Sequence, residues 1–166
     1  MLTPVEIAAV VTATKGAVEL FDKIAGQIKS VLTKQPKEAE GADDRWRFKI
    51  RPEGTQIVVK QQDRTVQTVT ADQLSQVLNP QDLELVRTYE ASMQKYFTRW
   101  KAIYAKKDGS QDPLVNAMTE EQLTDQIVKM KAELLGILDF LRKSGVHLDD
   151  HYMHVRHLVE QAKAGG

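Results

Sequence analysis

The stretch that decides the fold is residues 3–34, TPVEIAAVVTATKGAVELFDKIAGQIKSVLTK. Thr3 and Glu6 have the spacing of a capping box, whose side-chain oxygens accept hydrogen bonds from the first backbone amides of a helix, and Pro4 suits the first helical position. Apolar side chains then recur at steps of three and four residues, with Thr14 at the one polar position of the stripe. The pattern predicts one long amphipathic helix that buries Ile7, Val11, Val18, Phe21, Ala25, Ile28 and Leu32.

The hydrophobic period changes after this helix. A polar, acidic linker precedes RWRFKIR, residues 45–51, in which basic and apolar residues alternate strictly. Alternation of this kind is typical of a strand, with Trp46, Phe48 and Ile50 on one face and four cations on the other. Turn residues then separate this strand from two more. The sequence therefore predicts a three-stranded antiparallel meander within residues 45–70, with strands at 45–51, 55–60 and 64–69.

Residues 71–163 carry the signals of a helical bundle. Capping residues at Thr70, Asn79 and Thr119 each precede an apolar stripe, and the aspartates at 149–150 precede a last helix. The stripes on the two long helices favour an antiparallel hairpin, because the short connection between them lets the two apolar faces meet.

We therefore predict a single α+β domain over residues 1–166. It comprises a mostly helical bundle, built from a long N-terminal helix (3–34), a helical hairpin and a C-terminal helix (both within 71–163), and the small three-stranded β-meander (45–70). A chain of this length with 42% hydrophobic residues is long enough to bury a core of its own.

Composition excludes several classes of chemistry. The chain has no cysteine, which removes thiol nucleophiles, disulfides and cysteine-based metal sites. Its 23 cations balance 23 acidic residues, so it lacks the excess positive charge typical of proteins that bind nucleic acid. No secretory or membrane-spanning segment is recognised. We expect a cytoplasmic protein without a cofactor and without a nucleic-acid partner.

The densest group of ionisable residues is at the C-terminal end, where all four histidines lie within residues 147–157. Asp150, His154 and His157 would share one helix face, where neighbouring side chains can ligate a divalent ion. One helix rarely supplies three ligands to one ion, so the same pattern also fits a solvated polar face or a pH-responsive interface.

A second candidate is the basic face of the first predicted strand, formed by Arg45, Arg47, Lys49 and Arg51. Such a row of cations would bind an acidic protein, lipid headgroups or RNA. The aromatic residues of this strand point to the opposite face, whereas a stacking platform for single-stranded nucleic acid needs both on one surface. The alternative interpretation is a solvated face whose charges discourage edge-to-edge pairing.

The leading functional hypothesis is a non-catalytic protein–protein interaction or regulatory module that forms homo-oligomers through its N-terminal helix, with Val11, Val18, Phe21 and Ile28 at the contact. Its partner is not identified by the sequence. One alternative is a membrane-permeabilising effector, because the first half of this helix is apolar with few charges. A second alternative is a metal-dependent enzyme that uses the histidine segment.

Overall fold

The structure is a computed structural model that describes residues 2–33, 49–53, 55–61, 63–109 and 111–163, with the backbone alone for residues 49–53, 108 and 109. The predicted α+β class, mostly helical with a small antiparallel sheet, is confirmed. In chain order the described elements are α1 (Pro4–Thr33), β1 (Lys49–Glu53), β2 (Gln56–Gln61), β3 (Arg64–Val69), α2 (Ala71–Val77), α3 (Pro80–Gly109), α4 (Pro113–Lys129), α5 (Lys131–Lys143) and α6 (Asp150–Gln161).

The small sheet differs from the prediction at its first strand. The strands lie in the order β1-β2-β3 with antiparallel pairing, and side chains are described for β2 and β3. Of the predicted strand at 45–51, residues 45–48 lie outside the described residues, and the described strand continues through Pro52 and Glu53, which were expected in a turn. A proline is tolerated there because β1 is an edge strand, where its missing N–H need not serve the ladder. Trp46, Phe48 and the linker lie outside the described residues.

Helix α1 begins as predicted and forms the centre of the core. The backbone amide of Thr3 donates to Oε1 of Glu6 over 3.0 Å, and the amide of Glu6 donates to Oγ1 of Thr3 over 3.2 Å, which completes the capping box. Burial extends beyond the predicted stripe, because α1 packs against α3, α6 and the sheet at once. The additional buried side chains include Val10, Ala13, Ala17, Leu20, Ile24 and Val31.

The predicted hairpin partner of α3 is two helices rather than one. Helix α4 starts at Pro113, six residues before the predicted start at Thr119, because Oδ1 of Asp112 caps it by accepting from the amide of Leu114 over 3.0 Å. The chain then breaks at Met130, which is fully buried. Nζ of Lys131 donates to the backbone carbonyl oxygen of Glu160 over 2.8 Å and so ties this break to the end of α6.

Helices α4 and α5 run antiparallel to α3, with ion pairs at two points along the hairpin. Lys107 pairs with Glu120 near the tip over 3.5 Å. Lys143 pairs with the buried Asp82 near the base over 2.8 Å. The stripe that α4 and α5 present to the core is buried as predicted: Leu123, Ile127, Met130, Leu134, Ile137 and Leu141.

The sheet is joined to the helices at the turn between α5 and α6. Gly145 ends this turn with a φ of 100°, a left-handed conformation that favours glycine. The side-chain amide of Gln67 on β3 donates to the carbonyl oxygen of Gly145 over 2.6 Å, and its oxygen accepts from the amide of His147 over 2.9 Å. One side chain thus hydrogen-bonds to the backbone on both sides of Val146.

Two glycines permit close approach between helices, and they predict opposite effects of an added methyl group. A Cβ at position 136 would overlap the ring of Tyr89 and lie 2.5 Å from its hydroxyl oxygen. We expect Gly136→Ala to lower the free energy of unfolding by about 1–3 kcal/mol, the usual range for overpacking against a rigid group. Chemical denaturation measures this directly, and unchanged stability would contradict the tight α3–α5 contact.

Gly16→Ala is the matched comparison. A Cβ at position 16 meets only the carboxylate end of Glu90, which is the far end of a flexible side chain and can move aside. Because alanine is favoured over glycine within a helix by about 1 kcal/mol, we expect this variant to be as stable as the wild type or more stable.

Candidate functional site

The four residues predicted to make an oligomer contact lie inside the folded chain. Val11, Val18, Phe21 and Ile28 are 1%, 3%, 1% and 0% exposed. The ring of Phe21 lies 5.8 Å from that of Tyr152 on α6. A contact between copies through these side chains would first require α1 to leave its own core. Among the described helices, no stretch has the length and apolarity needed to cross a membrane.

The predicted basic face is only partly described. Arg45 and Arg47 lie outside the described residues. Lys49 and Arg51 lie in β1, opposite Lys60 and Val58 of β2. The two described positions thus occupy an edge strand of the small sheet.

An exposed apolar cluster at the start of α4 was missed by the sequence reasoning. We call it the α4 apolar cluster: Leu114, Val115 and Met118, which are 69%, 37% and 55% exposed. Large apolar side chains grouped on a surface are typical of protein contacts. The sequence contained a usable signal, because Asp112 followed by Pro113 is the pair expected at the N-cap and first position of a helix. The predicted start at Thr119 instead leaves this segment in the connection between the two helices.

A charged surface on α3 was also missed, because the whole chain has no net charge. Residues 94–107 contain five cations and no acidic residue. Three of the cations fall within a narrow arc of the helix, at steps of four and seven residues, and all three are exposed. We call these the α3 basic stripe: Lys95, Arg99 and Lys106.

The predicted metal ligands lie on the solvent-facing side of α6. Asp150, His154 and His157 are exposed on the outer face of α6, while the opposite face packs into the core. Within the residues that the structure describes, no group of three histidine, aspartate or glutamate side chains is arranged to hold an ion. A metal site at these three residues therefore stays a prediction, and in the structure they share a solvated helix face.

The start of α6 instead holds a hydrogen-bonded polar group that joins it to α1. Asp149 caps α6, accepting from the amide of Tyr152 over 3.0 Å. The hydroxyl of Tyr152 donates to Oδ1 of Asp22 over 2.7 Å. Burial raises the pKa of Asp149, and backbone hydrogen bonds from Tyr152 and His151 oppose that rise. Oδ2 of Asp149 is buried without a hydrogen-bond partner, which agrees with the direction of the shift.

The raised pKa of Asp149 predicts a pH-dependent effect of Asp149→Asn. A carboxyl whose pKa is higher in the folded than in the unfolded protein costs stability above that pKa, and the cost disappears below the unfolded value near 3.8. Asparagine keeps the capping oxygen and removes the charge. We expect the variant to be more stable than the wild type at pH 7 and equally stable below about pH 3.5. Urea unfolding at both pH values tests this, and a lower stability at pH 7 would contradict it.

The described surface therefore offers two groupings suited to contact with another macromolecule, one apolar and one cationic. Neither grouping coincides with a residue set predicted from the sequence. In comparisons with protein-family models, curated proteins and solved structures, nothing matches this chain.

Proposed function

We propose that this protein is a non-catalytic protein–protein interaction module that self-associates. The observation that carries the proposal is the α4 apolar cluster, in which three large apolar side chains are exposed within five residues of one helix. Removing such side chains from water is the main favourable term in protein association, at about 1.5–3 kcal/mol for each side chain that becomes fully buried.

The surroundings of the α4 apolar cluster support a role in contact. Asp112 precedes it, and the exposed Glu121 follows Met118 three residues later on the same face of the helix. An apolar centre with polar and charged residues at its edge is the usual composition of a protein interface. The cluster also belongs to an outer helix, so a second molecule can reach it without any change in the core.

The proposal assigns α1 a structural role. Its apolar side chains are occupied by contacts within the chain, as the 1% exposure of both Val11 and Phe21 indicates. A self-contact through the outer surface of α4 leaves those side chains in place and costs no unfolding. A contact through α1 would cost most of the core, and we therefore place the association at α4.

The test is the mass in solution of a variant that makes the cluster polar. Light scattering coupled to gel filtration should give the wild type a mass that rises with concentration above the monomer value of 18.7 kDa. We expect Leu114→Gln with Met118→Gln to remain monomeric and to melt as the wild type does, since both side chains are exposed and glutamine favours helix.

The matched control is Leu85→Gln with Met153→Gln, which removes a leucine and a methionine of 43% and 41% exposure elsewhere. This pair should associate as the wild type does. A wild type that stays monomeric at every concentration, or a cluster variant that associates normally, rejects the proposal.

A change in α1 distinguishes the two places of contact. Val11→Asp introduces an unpaired charge at a buried position and should unfold the chain, because burying a charge without a partner costs several kcal/mol. A Val11→Asp protein that is monomeric with wild-type helicity would instead place the contact on α1. Circular dichroism and light scattering on the same sample separate these outcomes.

A further inference from the structure

We propose that the α3 basic stripe, Lys95, Arg99 and Lys106, is a docking surface for an acidic helical segment of a partner protein. The inference adds a second surface to the interaction module proposed above and names the chemistry of what binds there. It rests on which cations of α3 are engaged within the chain, on their spacing and on the side chains between them.

The cations in the second half of α3 divide into two sets. Nζ of Lys107 lies 3.5 Å from the carboxylate of Glu120 and 5.8 Å from the ring centre of Tyr104, and Nζ of Lys101 lies 5.7 Å from that of Phe97. These two cations each have a partner within the chain. Within the described ranges, Lys95, Arg99 and Lys106 form no ion pair, hydrogen bond or ring contact.

The spacing of the α3 basic stripe suits a helix laid alongside it. From Lys95 to Lys106 is eleven residues, or about 16 Å along the helix axis. Ala91 and Ala102 lie on the same exposed face, and small side chains at a helix surface allow another backbone to approach closely. Carboxylates on successive turns of a partner helix repeat about every 5.4 Å and would meet Lys95 and Arg99 one turn apart.

Charge complementarity favours carboxylates of a protein over a phosphate backbone. A nucleic acid is attracted by an excess of positive charge, whereas this chain has 23 cations and 23 acidic residues. A short acidic helix can pair with all three cations of the stripe without extending beyond them.

A membrane surface fits the same residues less well. Helices that lie on lipid combine cations with large apolar side chains that enter the bilayer. On this face of α3 the exposed residues between the cations are Thr98 and Ala102, which contribute little apolar area. The hydroxyl of Thr98 moreover donates to the carbonyl oxygen of Gln94 over 3.1 Å and so belongs to the helix itself.

The experiment measures binding of a synthetic probe to the full chain. The probe is a fluorescent alanine-rich helical peptide of about 20 residues with glutamates on successive turns of one face, and glutamine replaces glutamate in the control peptide. Fluorescence anisotropy should show that the protein binds the glutamate peptide and not the glutamine peptide. Amide NMR shifts should be confined to the neighbourhood of Lys95, Arg99 and Ala102.

Charge reversal locates the contact. We expect Lys95→Glu with Arg99→Glu and Lys106→Glu to lower the affinity for the glutamate peptide about tenfold or more, because repulsion replaces three exposed ion pairs. The control is Arg87→Glu with Lys129→Glu and Lys163→Glu, which also reverses three exposed cations. Each reversal changes the charge by two, so the stripe variant and the control both have a formal net charge of −6 instead of 0. The control should keep its affinity to within about twofold.

A neutral triple variant serves as the control that distinguishes loss of binding from loss of structure. Lys95→Gln with Arg99→Gln and Lys106→Gln introduces a good helix former at exposed positions, so it should keep wild-type helicity and still lose most of the binding. All these variants should self-associate as the wild type does, because the α4 apolar cluster is intact. If the peptide does not bind, the proposal of self-association is unaffected. If the wild type does not self-associate, peptide binding to the stripe can still be measured.

Three results would overturn the inference. The first is no difference between the glutamate and glutamine peptides. The second is an equal loss of affinity in the stripe and control reversals, which would assign binding to net charge alone. The third is tighter, stripe-dependent binding of a single-stranded RNA oligonucleotide or of phosphatidylserine vesicles than of the glutamate peptide, which would assign the surface to a different class of partner.

Discussion

The burial of α1 is the constraint on which the rest of this structure depends. Fourteen of its thirty residues are buried, which is more than one apolar stripe can account for, so several elements must surround it. Polar contacts then fix how they do so. Nε1 of Trp100 on α3 donates to the side-chain oxygen of Gln27, and the hydroxyl of Tyr152 on α6 donates to Asp22 over 2.7 Å. Apolar burial holds α1 in place, and these directional bonds select its rotation and register.

This central position leaves one face of each outer helix in solvent, and it is there that we propose contacts beyond the chain. Helices α3 and α4 each have one face on the core and one in solvent, and their solvent faces differ in chemistry. Removing the α4 apolar cluster from water would be favourable because its side chains are apolar, whereas the α3 basic stripe would be stabilised by ion pairs with carboxylates. The two proposed contacts use different residues on different helices, so each can be tested without changing the other.

Helix starts were largely predictable because they depend on a few adjacent residues. The capping boxes at Thr3 and Thr70 are present in the structure, and Asp149 caps α6. The break at Met130 was not predictable from local pattern, since the apolar stripe continues through it without interruption. Beside that break, the ammonium group of Lys131, the first residue of α5, donates to the carbonyl oxygens of Glu160 and Ala162, a contact that no local pattern predicts. The α4 apolar cluster was missed for a related reason. The positions of apolar residues in a sequence do not show whether the chain itself or a second molecule covers them.

By itself the sequence determined the α+β class, the long first helix and the inward faces of the later helices, because period and capping act over a few neighbouring residues. Only the tertiary structure decided that Val11, Val18, Phe21 and Ile28 are buried by contacts within the chain, whereas Leu114 and Met118 are exposed. Burial is a property of what packs against a residue, and the packing partners of α1 are distant in sequence, from Trp100 beside Gln27 to Tyr152 beside Phe21. The same reason hid the α3 basic stripe, whose cations stand apart only once Lys101 and Lys107 are seen to be engaged within the chain.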